Sequence, residues 1–305
     1  MSLSQARVVD PVLTTHVQGY RHPERVGQLL FPTVPVSVSA GKVVEFGRES
    51  FVLYNARRAP GAATKQIEFG YAGKPFALAQ DSLESKVPRE FAREAAAVPG
   101  IDLGVRATNT VMNALTLTLE HEQAQIATNA ANYDLNHKIT LSGTSQWSDP
   151  DSDPIGNIED ARQAVRASCG LYPNTLVLGP PVYGALKIHP KVVARFRNTD
   201  IISAQMLAAL FELESVVEGK SVVADDSGTF GDVWGKDAVL AYAPRASSGL
   251  EEPSFGYTYT MLQNPFVEAP YWDGNKKSWI YGVTYERAPV LTGMAAGFVI
   301  KNAVE

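Results

Sequence analysis

The 305-residue chain has a single cysteine, Cys169. That excludes an internal disulfide and a thiolate zinc cluster, and it suits a reducing compartment. Long apolar runs are also missing. No stretch approaches the ~20 apolar residues of a membrane span, and the opening "MSLSQARVVDPVLTTHVQGYRHPERV" lacks the apolar core of a signal peptide. There is no surplus of basic residues, since 27 Lys and Arg face 32 Asp and Glu, for a net charge of −5. A primary nucleic-acid binder needs a basic stripe to displace counterions, so that class is disfavoured, as is an anionic membrane surface. A soluble cytoplasmic product is the default. Charged residues make up only 19% against 45% hydrophobic, which implies that part of the surface is covered by something else.

Chemical motifs are scarce as well. "YPNTLVLGPPVYGALKIHPKVVARF" (172–196) is a buried strand, a Gly-Pro-Pro stop and a short helix ending at His-Pro. It has no Gly-x-Gly-x-x-Gly, and its two prolines remove N–H donors that a phosphate would need. No Gly-x-Ser-x-Gly occurs anywhere. "GKS" at 219–221 has the ending of a phosphate-binding loop, but Glu214 stands where that loop needs glycine. Asp149, Asp151 and Asp153 alternate as in a calcium loop, yet Pro154 replaces the required glycine, so an acidic loop and helix cap is the better reading. His16, His22, His121, His137 and His189 show no metal-ligand spacing. His121 reads as a solvated residue and His189 as a charge at a helix C-terminus. No residue pair is selected as catalytic, and no cofactor or metal is implied.

What the chain does contain is an order of parts. Residues 1–40 hold short apolar clusters broken by Pro11, Pro23, Pro32 and Pro35, an extended arm that buries little on itself. From Lys42 to Gln80 the pattern is a long hairpin, its return alternating Ile67, Phe69 and Tyr71 with Gln66, Glu68 and Gly70. The tip carries Arg57, Arg58 and Lys65. Pro88 suits the first turn of a short helix. From Asp102 to about Tyr133 a spine helix places Val105, Met112, Leu115, Leu119 and Ile126 on one face, with Asn109, Asn113, Glu120 and Gln123 opposite. Further on, Asp153-Pro154 starts a helix, "TLVLG" is a central strand, and Ser203 caps another helix. Mostly strands follow, giving an α+β protein with mixed sheets. As a monomer it would expose Phe31, Phe51, Phe69 and Phe76, so the physical expectation is obligate assembly.

That order resembles the major capsid proteins of tailed bacteriophages, the HK97-like fold. The stretches carrying the resemblance are "ALAQDSLESKVPREFAREA", "DLGVRATNTVMNALTLTLEHEQAQIATNAANY", "ITLSGTSQWSDPDSDPIGNIEDA", "MLAALFELESVVEGK" and "DVWGKDAVLAYAP". It implies an N-terminal arm (1–40), an extended loop (41–85), a peripheral domain (86–156 and 265–305) around the spine helix, and an axial domain (157–264). The implied function is structural, with no enzymatic turnover: pentamers and hexamers of an icosahedral shell around packaged double-stranded DNA. The implied partners are copies of itself, a separate scaffolding protein, a portal and a decoration protein, with weak non-specific DNA contact. The implied place is the virion capsid, assembled in the host bacterial cytoplasm. Candidate inter-subunit residues are Arg48, Arg57, Arg58 and Lys65, pairing with acidic groups around Glu84, Glu90 or Asp149 of a neighbour, together with Phe69 and Phe76. Some members cross-link a loop lysine to a neighbour's asparagine, for which Lys65 and Asn302 are the candidates. The alternatives are an encapsulin-type compartment shell and, from another class, a soluble hydrolase.

Overall fold

A computed structural model of the protein describes residues 9–44, 57, 64, 73–96, 102–196, 201–245 and 254–305. Asp10 caps the first helix, α1 (Pro11–Gln18), by accepting from the Val12 and Leu13 N–H groups. Strand β1 (Thr33–Val36) follows, and β2 (Ala40–Val44) pairs antiparallel with β3 (Gly73–Ala77) as the base of the expected hairpin. Next come β4 (Ala79–Pro88) and α2 (Arg89–Ala96), so Pro88 closes a strand instead of opening the helix.

The spine helix is α3 (Leu103–Thr128), with Asp102 as its cap at 2.8 Å from Gly104 N and 3.1 Å from Val105 N. At 1.5 Å per residue it is about 39 Å long. It stops before Tyr133 because Asn129 is extended and its side chain caps a short 3₁₀ turn instead. Asp102→Ala removes this cap and is expected to cost about 1 kcal/mol, read as a lower thermal midpoint with an unchanged circular-dichroism spectrum.

The second half begins with β5 (Lys138–Thr140) and α4 (Pro154–Cys169), which Gly170 ends at φ 75°, a left-handed cap that favours glycine. Then follow β6 (Thr175–Leu178), α5 (Pro180–Ile188), α6 (Pro190–Val193) and α7 (Ala204–Leu210). Ser203 caps α7 through the Met206 N–H, as its sequence predicts. Strands β7 (Ser215–Glu218), β8 (Val222–Ala224), β9 (Phe230–Asp232) and β10 (Ala238–Ala241) come next. The chain finishes with β11 (Gly256–Met261), β12 (Phe266–Val267), β13 (Tyr271–Asp273), β14 (Ser278–Leu291) and β15 (Gly297–Lys301).

These strands build two mixed sheets. The five-stranded one runs β5-β15-β10-β6-β7, with β15–β5 and β6–β7 parallel. Its central strands are buried on both faces, which is why "TLVL" and "AVLA" are continuously apolar. Leu176, Leu178, Leu240 and Ile300 face α4, α5 and α7, while Val177, Val239 and Val299 face the end of α3 and the arm residues Leu30 and Phe31. In the second sheet the 14-residue β14 is the hub. It pairs with β4 along one edge and with β13, β12 and β11 in turn along the other. Its Val283 and Tyr285 pack with Leu13, Val17, Met112 and Leu115. Strands 138–140 and 297–301, expected with the peripheral domain, belong to the sheet of β6 and β10, whereas β11 joins the other sheet.

The arm departs most from expectation. Its described part folds onto its own chain: α1 against α3, and β1 parallel to β11. Phe31, expected to be exposed in a monomer, is 0% exposed and lies 5.4 Å from the Phe255 ring. Short apolar clusters between prolines cannot pack on one another, but each finds a separate site on α3 or β11. Phe76 is half-buried and stacked on Tyr259 at 4.7 Å. Phe51 lies outside the described residues.

Candidate assembly surface

Glu84 lies at the middle of β4, exposed, and accepts from the Tyr271 hydroxyl at 3.2 and 3.3 Å. It stands opposite Gly282 of β14, whose carbonyl accepts from the N–H of Glu268 on the far side. Glu268 also accepts from the Thr284 hydroxyl at 2.8 Å. Two carboxylates thus flank a residue without a side chain on the sheet face turned away from α3. On the opposite face of the sheet, at the start of β14, β13 and β14 carry an exposed aromatic pair. Trp272 and Trp279 are register partners with ring centroids 5.8 Å apart, each 41% exposed. A tryptophan pair left this open to water is an unusual cost for a lone subunit and suits a contact surface. The sequence marks the turn at Asp273–Asn275 but not that its flanking tryptophans meet.

The other expected contact residues divide. Glu90 opens α2 in an exposed ion pair with Arg89 at 3.0 Å, and its own backbone N–H, then Arg89, holds its carboxyl below the usual range. Arg57 is exposed. Phe76 covers its own chain's Tyr259, so its ring is engaged within the subunit. Arg48, Arg58, Lys65 and Phe69 lie outside the described residues. Asp149 is half-buried and accepts from Asp151 N at 2.9 Å in a turn before α4. Asn302 adopts φ 52°, its N–H bonded to Asp237.

Two buried polar nodes hold the parts that carry these surfaces. Glu120, expected on the solvent side of the spine, is 1% exposed. Its carboxylate accepts from Val26 N at 3.0 Å, Gly27 N at 2.8 Å and Trp234 Nε1 at 2.8 Å, joining arm, spine and the turn after β9. Burial raises its pKa, against the lowering effect of the three donors and of Arg25. Gln123, expected beside it in solvent, is 2% exposed and donates to Thr258. At the other node Arg287 of β14, 1% exposed, meets Glu122 at 2.6 Å and Asp81 at 2.8 Å, tying β4 and β14 to α3. Nothing local distinguishes these residues from a solvated helix face, because their partners are up to 165 residues away.

His189 also differs from expectation. It is 2% exposed, and its Nδ1 accepts from Lys191 N, so Nε2 carries the hydrogen toward Ser152 and the Asp149 carbonyl. It stands at the C-terminus of α5, as expected, but is buried there and also caps α6. Among the described residues no group of acidic, histidine or cysteine side chains is arranged to hold a metal ion.

Residues 105–285 match the family model of phage major capsid protein E. The major capsid protein of Burkholderia phage BcepMu is 35% identical over 98% of both chains. The crystal structure of a phage-related protein from Bordetella bronchiseptica RB50 is 49% identical over 98% of both chains, with a TM-score of 0.84. At the level of fold alone, a capsid chain of cyanophage P-SCSP1u, 9% identical, superposes over 89% of this chain and 86% of its own with a TM-score of 0.56. The architecture is the α+β HK97-like capsid fold, and the comparisons favour a phage capsid over an encapsulin-type shell or a soluble hydrolase. The chain belongs to the phage major capsid protein E family and is a structural component of the phage capsid.

Proposed function

We propose that this chain is the repeating subunit of pentamers and hexamers that close an icosahedral shell around packaged double-stranded DNA. The observation that carries the proposal is the acidic sheet face formed by Glu84 and Glu268 beside Tyr271, in a chain whose β2–β3 connecting segment holds Arg48, Arg57, Arg58 and Lys65. In this reading the basic segment of one subunit lies against the acidic face of another, with Glu90 at its margin. Residues 1–40 act as the arm, 41–85 as the extended loop, 86–156 and 265–305 as the peripheral domain apart from β5 and β15, and 157–264 as the axial domain apart from β11. Each exposed ion pair is worth only ~0–1 kcal/mol, so the shell depends on many repeated contacts. A separate scaffolding protein directs assembly in the host cytoplasm, and a portal and a decoration protein complete the head. Contact with DNA is weak, in keeping with the net charge of −5.

The test is the assembly state of the purified chain by sedimentation and negative-stain imaging, for the native protein and for Glu84→Arg combined with Glu268→Arg. Rings or shells are expected for the first. The double reversal should leave the thermal midpoint nearly unchanged while lowering assembled material at least tenfold. Undiminished assembly in the reversed variant would remove the acidic face from the proposal. A native chain that stays a compact monomer, even with a scaffold supplied, would overturn it altogether.

A further inference from the structure

Strands β8 and β9 stand apart from both large sheets. Among the described residues they pair only with each other, and an isolated two-stranded hairpin is at best marginally stable in water. Here the turn holds it in shape. The Asp225 carboxylate accepts from Ser227 N at 2.9 Å, Ser227 Oγ at 2.6 Å and Thr229 N at 2.8 Å, and Gly228 takes φ 82°. At the base the Ser221 hydroxyl donates to the Glu24 carbonyl at 2.8 Å, and Val233 N donates to Ser221 O. The register puts Val222, Ala224, Phe230 and Asp232 on one face. All four are exposed, Phe230 by 73%. The hairpin is preformed, yet its apolar face has no cover within the subunit.

Charge and apolarity together say what fits there. Residues 222–232 hold Asp225, Asp226 and Asp232 and no Lys or Arg. Residues 180–196, which contain α5 and α6, show the reverse: Lys187, Lys191 and Arg195 with no Asp or Glu. That segment also leaves apolar side chains in water, Ile188 being 79% and Val193 42% exposed. Lys191 and Arg195 are exposed beside them, Lys191 giving one hydrogen bond to the Asp151 carbonyl at 2.9 Å. Because both surfaces are open in the same subunit, neither covers the other there. We propose that the β8–β9 hairpin of one copy docks on the α5–α6 surface of a second copy. Phe230 and Val222 pack on Ile188 and Val193, and the aspartates face Lys191 and Arg195. The two patches differ, so the contact is head-to-tail, and copies add until a ring closes. It rests on the reading of the chain as a shell subunit, and it uses neither Glu84 nor Glu268.

The test is sedimentation and negative-stain imaging of the purified full-length protein beside three variants. These are Phe230→Ser, Asp226→Lys with Asp232→Lys, and that charge reversal combined with Lys191→Glu and Arg195→Glu. All the substituted residues are exposed, so thermal midpoints should stay close to the native value. Phe230→Ser and the aspartate reversal should each lower assembled material at least tenfold, because every contact in a ring loses the same interaction. The combined reversal should restore most of it. If native protein and Phe230→Ser assemble equally well, the proposal is overturned while the shell reading stands. Loss without recovery in the combined reversal would overturn the pairing with α5 and α6. A native chain that does not assemble, even with a scaffold supplied, would overturn the shell reading and this contact with it.

Discussion

Glu120→Ala is expected to destabilise the subunit by about 4 kcal/mol or more. Three buried donors lose their acceptor together: Val26 N, Gly27 N and Trp234 Nε1. Each unsatisfied donor costs roughly 1–3 kcal/mol, a large share of the ~5–15 kcal/mol that keeps a domain folded. The thermal midpoint should fall by about 10 °C, and the chain around Val26 should become open to protease before the rest unfolds. A fall no greater than that of Thr118→Ala, on the exposed side of the same helix, would show that the arm is held by apolar packing alone. Glu120→Gln should cost less, because its amide oxygen still serves Val26 and Trp234 while its NH₂ faces Gly27.

The pH dependence of this node has a definite sign. Burial raises the folded-state pKa of Glu120 above its unfolded value, so the native state holds the proton more tightly. The stabilising contribution is fully present below the unfolded value of ~4.3 and is lost as pH rises through the folded one. The stability advantage of wild type over Glu120→Gln should therefore narrow with rising pH. Acid alone does not release the arm through this group.

The second large effect is expected at Gly179, between β6 and α5. A Cβ placed there would lie 1.8 Å from the Gly235 carbonyl oxygen and 3.2 Å from that of Trp234. Both are backbone atoms of a turn that cannot rotate aside, so Gly179→Ala must push β6 away from its neighbour. Overpacking commonly costs about 1–3 kcal/mol, and a backbone overlap this deep belongs at or beyond the upper end, with little soluble protein recovered. Gly184 lies on the exposed side of α5, and a Cβ there would meet nothing within 4 Å. Gly184→Ala should instead stabilise by about 0.5–1 kcal/mol through helix propensity. Melting the two variants side by side separates close approach from conformational preference. Equal effects at both sites would contradict the account.

Most of the helices were legible because their signals are local. Asp102, Ser203 and the Asp153-Pro154 step stand where the helices begin. The doubly buried strands were legible as unbroken apolar runs at "TLVL" and "AVLA". The candidate surface was only half legible. Glu84 and Glu90 lie on the outside, Phe76 stacks within its own subunit, and the Trp272–Trp279 pair exists only through strand register. A polar residue on a helix reads the same whether its partner is water or a backbone N–H a hundred residues away. Glu120 and Gln123 were misplaced for that reason.

The α+β class, the order of arm, hairpin, spine helix and mixed sheets, and several helix starts could be read from the chain alone, since capping, turn geometry and apolar periodicity act over a few residues. Where the arm goes is set by contacts that no local pattern encodes. Phe31 beside Phe255, β1 beside β11, and Glu120 beneath Val26 and Gly27 are all contacts between distant segments. Their free energy comes from burial and hydrogen bonding that exist only once the sheets and spine have assembled.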